Sequence, residues 1–375
     1  MEPLNPEVMI RQVDDLPQLT RTQLGPIDRA ARAVLAGLPV TSLQRIITAG
    51  NGDSYHAVRA CELAFASIGG IANDPLSAQR FLDYGVDVLP PSAAVTTLVA
   101  GVSASGGTAH VAQLLAAVRA RGAPTLAITG APGSRVAKAA QYTLPVTIPD
   151  FGRSPGVRTY HASLLGLLLL AINIGELRQH ISAAEANSLR NELGEMEAIM
   201  AATLDAAREP AQAAAQLCRE EPFLLFLGSG PSYGTALYAA AKVVEASAVF
   251  AAAQELEEWW HVERFAYPAG MVTFLIAPPG RTYQRAVELA KGARQLGRRL
   301  IAVVSEGDQA IARHAELILP VAGDVRESFS PLVYHLFASL FASFLVQALG
   351  RTLLQSDNPV FQAAIDNYYA GRGSR

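Results

Sequence analysis

The chain repeats itself, and this repeat constrains the possible fold more than any other feature of the sequence. Three pairs of segments match in the same order, and the members of each pair lie 174 to 178 residues apart. Chance rarely keeps three matches in order at nearly one offset, so the repeat predicts two copies of one domain. The pairs are 50–55 with 228–233, which share Gly-x-Gly-x-Ser-Tyr, 137–146 with 312–321, and 160–161 with 334–335.

The length of the chain agrees with a duplication. At 375 residues it has room for two domains of ordinary size and connecting segments. The stretch between the copies is rich in alanine, leucine and glutamate, which is typical of a connecting helix. We expect an N-terminal helical segment over residues 1–41, one domain over 42–180, a connecting helix over 181–221, the second domain over 222–350 and a tail over 351–375.

Each copy alternates short apolar runs with helix-length segments. The first run of each copy, at 45–49 and 223–227, ends in the shared glycine turn, and a helical pattern follows. Uniformly apolar runs are typical of strands buried on both faces. The pattern predicts an α/β protein in which each copy forms a parallel sheet sandwiched by helices. The later runs are 95–102, 125–128, 271–276 and 300–304, with helices between them such as 110–121 and 284–296.

Composition disfavours several classes of function. The formal net charge is −3 and neither sign forms a long run, so neither nucleic acid nor an anionic membrane is an expected partner. The two cysteines lack C-x-x-C spacing and no His-Glu-x-x-His motif is present, so we expect no metal site. With no secretory signal recognised, we expect a cytoplasmic protein. The apolar segments 164–174 and 332–349 are predicted to be buried core helices.

One candidate binding loop lies directly after a predicted strand, where parallel sheets bind ligands. Residues 103–108, Ser-Ala-Ser-Gly-Gly-Thr, bring hydroxyl groups and backbone N–H donors to the start of a predicted helix, and such a terminus attracts tetrahedral anions. Ordinary helix capping explains the same residues equally well. Ser54, in the first glycine turn, is a candidate to face the same space. Neither Gly-x-Gly-x-x-Gly after a strand nor a P-loop pattern is present, so no nucleotide cofactor is expected.

Acid–base chemistry has two candidate locations in the second copy. Lys242 and Glu245 lie three residues apart on one face of a predicted helix. They suit either a structural ion pair or a carboxylate prepared for proton transfer. His261 follows Trp259 and Trp260, the only tryptophans of the chain, and is either a proton shuttle or a packed core residue.

Together, the glycine turn, the 103–108 loop, the Lys-x-x-Glu of 242–245 and a histidine 16 residues after Glu245 resemble a known family. They are similar to the isomerase half of glucosamine-6-phosphate synthase, which consists of two sugar isomerase (SIS) domains, and to related amino-sugar phosphate deaminases and deglycases. The resemblance covers nearly the whole chain. It implies two three-layer, flavodoxin-like domains, a sugar-phosphate ligand, no cofactor and a homodimer.

The resemblance also implies roles for individual residues. Three catalytic residues are implied: Glu245 matches the enediol base, Lys242 the lysine near C1 and C2 of the sugar, and His261 the ring-opening histidine that a neighbouring subunit supplies. The phosphate-binding hydroxyls match Ser54, Ser103, Ser105 and Thr108, and further substrate contacts are expected at Gly52, Asp53, Arg158, Thr159 and Glu258.

Several departures from the family pattern loosen the expected reaction. Ala104 replaces a glutamine of the phosphate loop, and Ala364 aligns with the catalytic lysine of the tail. Trp259 and Trp260 are expected to fill the site with indole rings. No glutaminase domain precedes the repeats and no cysteine follows Met1, so we expect no ammonia transfer from glutamine.

The leading hypothesis is an aldose–ketose isomerase that acts on a phosphorylated or similarly anionic hexose or amino-hexose through a cis-enediol intermediate. The alternatives are an amino-sugar 6-phosphate deaminase or fructosamine-6-phosphate deglycase, a sulfosugar isomerase, and a non-catalytic sugar-phosphate sensor. The presence of both Glu245 and His261 favours catalysis over sensing.

Overall fold

A computed structural model describes residues 3–370, which divide into two compact units. The first unit comprises Pro17–Pro149 and Arg158–Glu197. The described part of the second unit comprises residues 3–16, 150–157 and 198–370. Each unit contains one five-stranded sheet.

Helices account for about half of the described residues. In chain order they are α1 (Glu7–Asp14), α2 (Leu16–Leu35), α3 (Asp53–Ala60), α4 (Glu62–Ser67), α5 (Ala78–Tyr84), α6 (Pro91–Ala94), α7 (Ala109–Ala120), α8 (Arg135–Ala139), α9 (Arg158–Leu177), α10 (Ala183–Cys218), α11 (Pro231–Ser247), α12 (Leu256–His261), α13 (Tyr283–Gln295), α14 (Pro331–Tyr334), α15 (Leu336–Ala348) and α16 (Pro359–Ala370). The boundary between the units falls inside α10, between residues 197 and 198.

The sheet of the first unit is entirely parallel, as the uniformly apolar runs predict. Its order is β2-β1-β3-β4-β5, which is the flavodoxin-like order. The strands are β1 (Arg45–Gly50), β2 (Ala72–Ser77), β3 (Thr97–Val102), β4 (Thr125–Thr129) and β5 (Tyr142–Pro145).

Helices cover both faces of this sheet. Ala127 of β4 joins an apolar cluster with α5 and α7 on one face. The next residue, Ile128, faces α9 on the other side, where Gly166 lets the helix approach closely. This alternation is the period of two expected for a strand buried on both faces, and it confirms the predicted three-layer arrangement.

The second sheet repeats the first. Counted from the β7 edge, its order is β7-β6-β8-β9-β10, which corresponds strand by strand to β2-β1-β3-β4-β5 of the first sheet. All its pairings are parallel. One face packs against α12 and α13 through a cluster that includes Leu225 and Leu275, and the other carries Phe226 and Phe274 against Phe337 of α15. The strands are β6 (Phe223–Gly228), β7 (Phe250–Glu255), β8 (Val272–Ala277), β9 (Arg299–Ser305) and β10 (Leu317–Val321).

Among the described residues, two stretches are long and apolar enough to cross a membrane by length and composition, Arg158–Leu177 and Pro331–Ala348. Each has 89% of its 18-residue window buried inside the fold. The first is α9, and the second comprises α14 and α15. Such burial is typical of core helices, which need an apolar surface on most sides.

The repeated glycine turn has the same backbone in both copies. Gly52 and Gly230, before α3 and α11, have φ of 54° and 55°, a conformation that residues with a Cβ rarely adopt. Gly50 and Gly228 serve close packing instead. A Cβ there would lie 2.7 and 2.2 Å from the backbone four residues later.

Candidate active site

The first sheet has a topological switch point between β1 and β3. From β1 the chain continues to β2 on one side and then to β3 on the other. The loops after these two strands therefore flank a crevice at the carboxyl edge, which is the usual ligand position in such sheets. The loop after β1 is residues 51–52, followed at once by Asp53 and Ser54 of α3, and the loop after β3 is residues 103–108. The fold therefore brings the predicted anion-binding segments to one edge.

The 103–108 loop is organised by its own hydroxyl groups. Ser103 Oγ lies 2.9 Å from Thr108 Oγ1, and the exposed Ser105 accepts a hydrogen bond from the Gly107 N–H at 3.2 Å. Thr108 occupies the N-cap position of α7, yet its side chain makes no capping bond there. Capping by Thr108 therefore does not explain its presence, and its hydroxyl belongs to the loop surface instead.

The glycine turn places Asp53 and Ser54 in the first turn of α3. Both side chains are partly buried, and Asp53 Oδ1 lies 3.7 Å from His56 Nδ1. Gly52 is exposed, and no atom lies within 4 Å of the position that a Cβ would take. The start of α3 therefore carries a hydroxyl, a carboxylate and an imidazole. His56 was not among the sequence candidates, although it lies three residues after Asp53.

A cavity of about 170 Å³ connects the hydroxyl loop to the start of α9. Ala104 and Thr159 both line it, with the remaining wall supplied by Gly130, Ala131, Val146 and Ile148. Arg158 has a different position: its side chain is buried, and its Nη1 donates to the Pro149 carbonyl oxygen at 2.6 Å. The guanidinium thus anchors the chain before α9.

The second unit carries the predicted acid–base residues. Near the end of α11, the Lys242 ammonium donates to the Glu245 carboxylate and lies 5.2 Å from the centre of the Tyr238 ring. The Lys242 side chain is 0% exposed, whereas that of Glu245 is 38% exposed. The lysine is therefore enclosed by protein, and the carboxylate is the member of the pair that meets solvent.

His261 ends α12, and its side chain is 64% exposed. Its Nε2 lies 3.5 Å from Glu257 Oε1, and Glu257 in turn accepts two hydrogen bonds from Arg285. These bonds hold the pKa of the Glu257 carboxyl below its usual value. Glu258, the carried-over neighbour, is exposed. Glu257 was not singled out from the sequence, although it lies four residues before His261. No local sequence pattern points to Arg285.

The two tryptophans do not fill a site, and the expectation that they would is wrong. Trp259 is 1% exposed and belongs to the apolar cluster between the second sheet and α13. Trp260 packs against Gly292 of α13, where a Cβ would lie 2.7 Å from the indole. Both rings face inward because α12 needs an apolar side to cover its sheet.

The position aligned with the tail lysine of the family, Ala364, lies exposed on α16. Within residues 3–370, no three of the His, Cys, Asp and Glu side chains lie close enough together to hold a metal ion.

Comparison with known proteins identifies the family of both repeats. The SIS domain family matches residues 41–172 and 219–346, one segment per copy. Glutamine–fructose-6-phosphate aminotransferase (isomerizing) from Methanothermobacter thermautotrophicus is 27% identical over 327 residues, which cover 87% of this chain and 52% of that protein. The chain spans about half the length of the curated relatives it matches.

Solved structures share the fold. The C-terminal domain of glucosamine-fructose-6-phosphate aminotransferase from Francisella tularensis superposes with a TM-score of 0.79 at 15% identity, covering 93% of this chain and 98% of that one. Glucosamine-6-phosphate deaminase from Thermotoga maritima gives 0.66 at 18% identity, covering 91% and 97%. Because the family matches both repeats and most of the sequence, this chain belongs to the SIS domain family.

Proposed function

We propose that the protein is an aldose–ketose isomerase that acts on a phosphorylated or similarly anionic hexose or amino-hexose. The observation that carries the proposal is the pair on α11, a solvent-reaching carboxylate held by a fully buried lysine. A carboxylate with a fixed cationic partner is suited to proton transfer between neighbouring carbons. The name of the Methanothermobacter relative, which refers to fructose 6-phosphate and to isomerisation, supports this substrate class.

Glu245 is the proposed base. It removes the proton from C2 of the open-chain aldose, and the electron pair forms the C1–C2 double bond as O1 takes the proton of the C2 hydroxyl. The protonated Glu245 then returns its proton to C1 while the carbonyl forms at C2. Lys242 is too buried to reach a sugar, so it acts through Glu245 by holding that carboxylate in place with its ammonium group.

The proposed anion-binding groups are the hydroxyls of the first unit. Ser103 and Thr108 are already paired with each other, and Ser105 lies exposed beside the N-terminus of α7. Ser54 lies in the first turn of α3, which follows the neighbouring strand β1 at the same edge of the sheet. Backbone N–H groups at a helix start favour a tetrahedral anion, and hydroxyl donors orient it. Thr159, which shares a cavity with Ala104, is the proposed contact to the sugar.

A homodimer is part of the proposal. His261 is exposed, and so are Val262, Phe265 and Tyr267 directly after it, which gives the end of α12 an apolar surface that a second copy could cover. In this arrangement His261 opens the sugar ring in the neighbouring subunit.

Proton NMR in D₂O tests the proposal with fructose 6-phosphate, glucosamine 6-phosphate, a fructosamine 6-phosphate and a sulfosugar. We expect deuterium to enter C1 or C2 of one sugar, and Glu245→Gln to slow this exchange by about 10²–10⁴-fold while binding is kept. Glu220→Gln, which removes an exposed carboxylate, is the control and should exchange normally.

Other results would redirect the assignment. Release of ammonia or an amino acid would indicate that the protein is an amino-sugar 6-phosphate deaminase or a fructosamine-6-phosphate deglycase. Deuterium exchange confined to the sulfosugar would indicate a sulfosugar isomerase. Saturable binding of a sugar phosphate without any deuterium exchange would overturn the isomerase hypothesis and favour a non-catalytic sugar-phosphate sensor. Undiminished exchange in Glu245→Gln would remove Glu245 as the base.

A further inference from the structure

Helix α12 places the carboxylate of Glu257 beside His261. Glu257 and His261 are four residues apart, hence one helical turn, and Glu257 Oε1 lies 3.5 Å from His261 Nε2. Glu257 is not the glutamate that the family resemblance points to, which is Glu258. The contact therefore involves a carboxylate to which the resemblance assigned no role.

Arg285 of α13 fixes that carboxylate. Its Nε and Nη2 donate to the two oxygens of Glu257 at 2.7 and 3.0 Å, which is the two-point geometry of a guanidinium on a carboxylate. The remaining nitrogen, Nη1, donates to Glu288 at 2.8 Å. Glu257 is thus held from α13, the helix that packs beside α12, and not only from its own helix.

We propose that Arg285 and Glu257 form a positioning pair for His261, with Nε2 turned toward Glu257 and Nδ1 left for the sugar. This inference rests on the proposed function, in which His261 opens the sugar ring. Neither member of the pair touches the substrate. Because the His261 side chain is largely exposed, a fixed partner reduces the number of orientations it samples.

The titratable groups around the imidazole are consistent with this role. Glu257 lies on its own helix, and Arg285 and Glu288 lie on α13. The pKa of Glu257 is lowered, first of all by its hydrogen bonds with Arg285. The carboxylate therefore stays ionised next to the ring, so it orients the imidazole without taking up the proton that the reaction needs.

Ring opening explains why orientation matters. In fructose 6-phosphate the C2–O5 bond breaks, O5 takes a proton from the protonated imidazole, and the C2 hydroxyl loses its proton to water as the carbonyl forms. The donor nitrogen must come within roughly 2.6–3.2 Å of O5. A displacement of about 1 Å can cost about 100-fold in rate.

The first test needs no substrate. In protein labelled with ¹⁵N-histidine, the ring signals of His261 are identified by their loss in His261→Asn. Glu257→Gln and Arg285→Gln should both shift these signals and change the balance between the two neutral ring forms. Glu288→Gln removes the other carboxylate on Arg285 and should leave them in place. Unchanged His261 signals in Glu257→Gln would overturn the positioning pair.

The second test asks whether the pair serves ring opening. Fructose 6-phosphate closes to a furanose, whereas 5-deoxyfructose 6-phosphate lacks the closing hydroxyl and stays open. Glu257→Gln should lower kcat for the cyclising sugar by about 10-fold or more, with KM nearly unchanged, and leave the open sugar unaffected. Equal slowing of both sugars would contradict the role. If the wild-type protein exchanges no proton in any sugar, the proposed function fails, while the ring signals still decide whether the pair exists.

Discussion

A lysine with no exposed surface cannot contact a substrate, and Lys242 is such a residue. Its ammonium is enclosed between the Glu245 carboxylate and the Tyr238 ring. Burying an ammonium is costly unless it is paired, so the lysine and the glutamate stabilise each other's charge. At the residue scale, the family resemblance pointed to Lys242 and Glu245, and burial decides that of the two only Glu245 reaches the solvent.

A buried histidine in α9 predicts sensitivity to acid. His161 is fully buried, its Nε2 lies 2.7 Å from Thr20 Oγ1, and burial lowers its pKa to about 3. In the unfolded chain the pKa is about 6.5, so between these values the unfolded state binds the extra proton. The neutral ring thus contributes stability above about pH 6.5 that is lost as the pH falls toward 3.

The prediction is checked by urea unfolding between pH 7 and pH 4. One such group lowers the free energy of unfolding by about 1.4 kcal/mol for each pH unit that the pH falls in this window. In His161→Gln the free energy of unfolding should therefore decrease less as the pH falls. His180→Gln replaces an exposed histidine of the same unit and should keep the wild-type pH dependence. If His161→Gln also keeps the wild-type dependence, the buried ring is not the source of the acid sensitivity.

At the scale of elements, the strand–glycine–helix turn is the unit that both copies share. Its first glycine allows the strand end and the first helical turn to approach, because any Cβ would overlap the backbone four residues later. The second glycine supplies the positive φ. The two copies then differ: α11 is one helix of 17 residues, whereas its counterpart is divided at Cys61 into α3 and α4.

Substitution of the first glycine should therefore destabilise either unit. Gly50→Ala and Gly228→Ala are expected to cost about 1–3 kcal/mol, because the strand end must move away from the helix. Gly270→Ala is the control, since a Cβ there meets nothing within 4 Å and the backbone is not strained; it should change stability by less than about 0.5 kcal/mol. Thermal unfolding measures all three, and a Gly228→Ala protein as stable as Gly270→Ala would contradict the packing argument.

At the scale of the whole molecule, the two copies differ in the candidate site residues that they carry. The first copy keeps the hydroxyl loop after β3, whereas the loop after β8 begins Pro278-Pro279-Gly280. The second copy keeps Lys242 and Glu245, whereas the positions 178 residues earlier hold an alanine and a serine. Each copy thus retains the residues for a different part of the proposed reaction.

Shared sites between subunits can be tested by mixing two inactive proteins. Glu245→Gln and His261→Asn should each be inactive alone. If His261 acts in its neighbour's site, dissociating and reassociating a one-to-one mixture should restore about a quarter of the wild-type rate, because half the dimers then carry one intact site of two. A mixture that stays inactive, in a preparation shown to contain mixed dimers, would place His261 in the same subunit as its site.

The amount that could be predicted differs between the fold and the site. The repeat, the apolar runs and the glycine turns are local patterns that predicted two parallel α/β domains, and the resemblance of the motifs predicted their family. The structure and the comparisons confirm both. Strand ends were less exact: the run at 95–102 contains β3, which begins at Thr97. The roles of Ser54, Ser103, Ser105 and Thr108 remain predictions, although the fold places both their loops at one sheet edge.

The sequence by itself determined the duplication, the alternation of strands and helices, and the position of the hydroxyl loop after a strand, because backbone preferences and hydrophobic period act over a few residues. Only the tertiary structure decided that Trp259 packs inward, that Lys242 is enclosed, and that Arg285 holds Glu257 from 28 residues away. The orientation and burial of a side chain depend on neighbours that are distant along the chain, and those neighbours come together only when the sheets and helices pack.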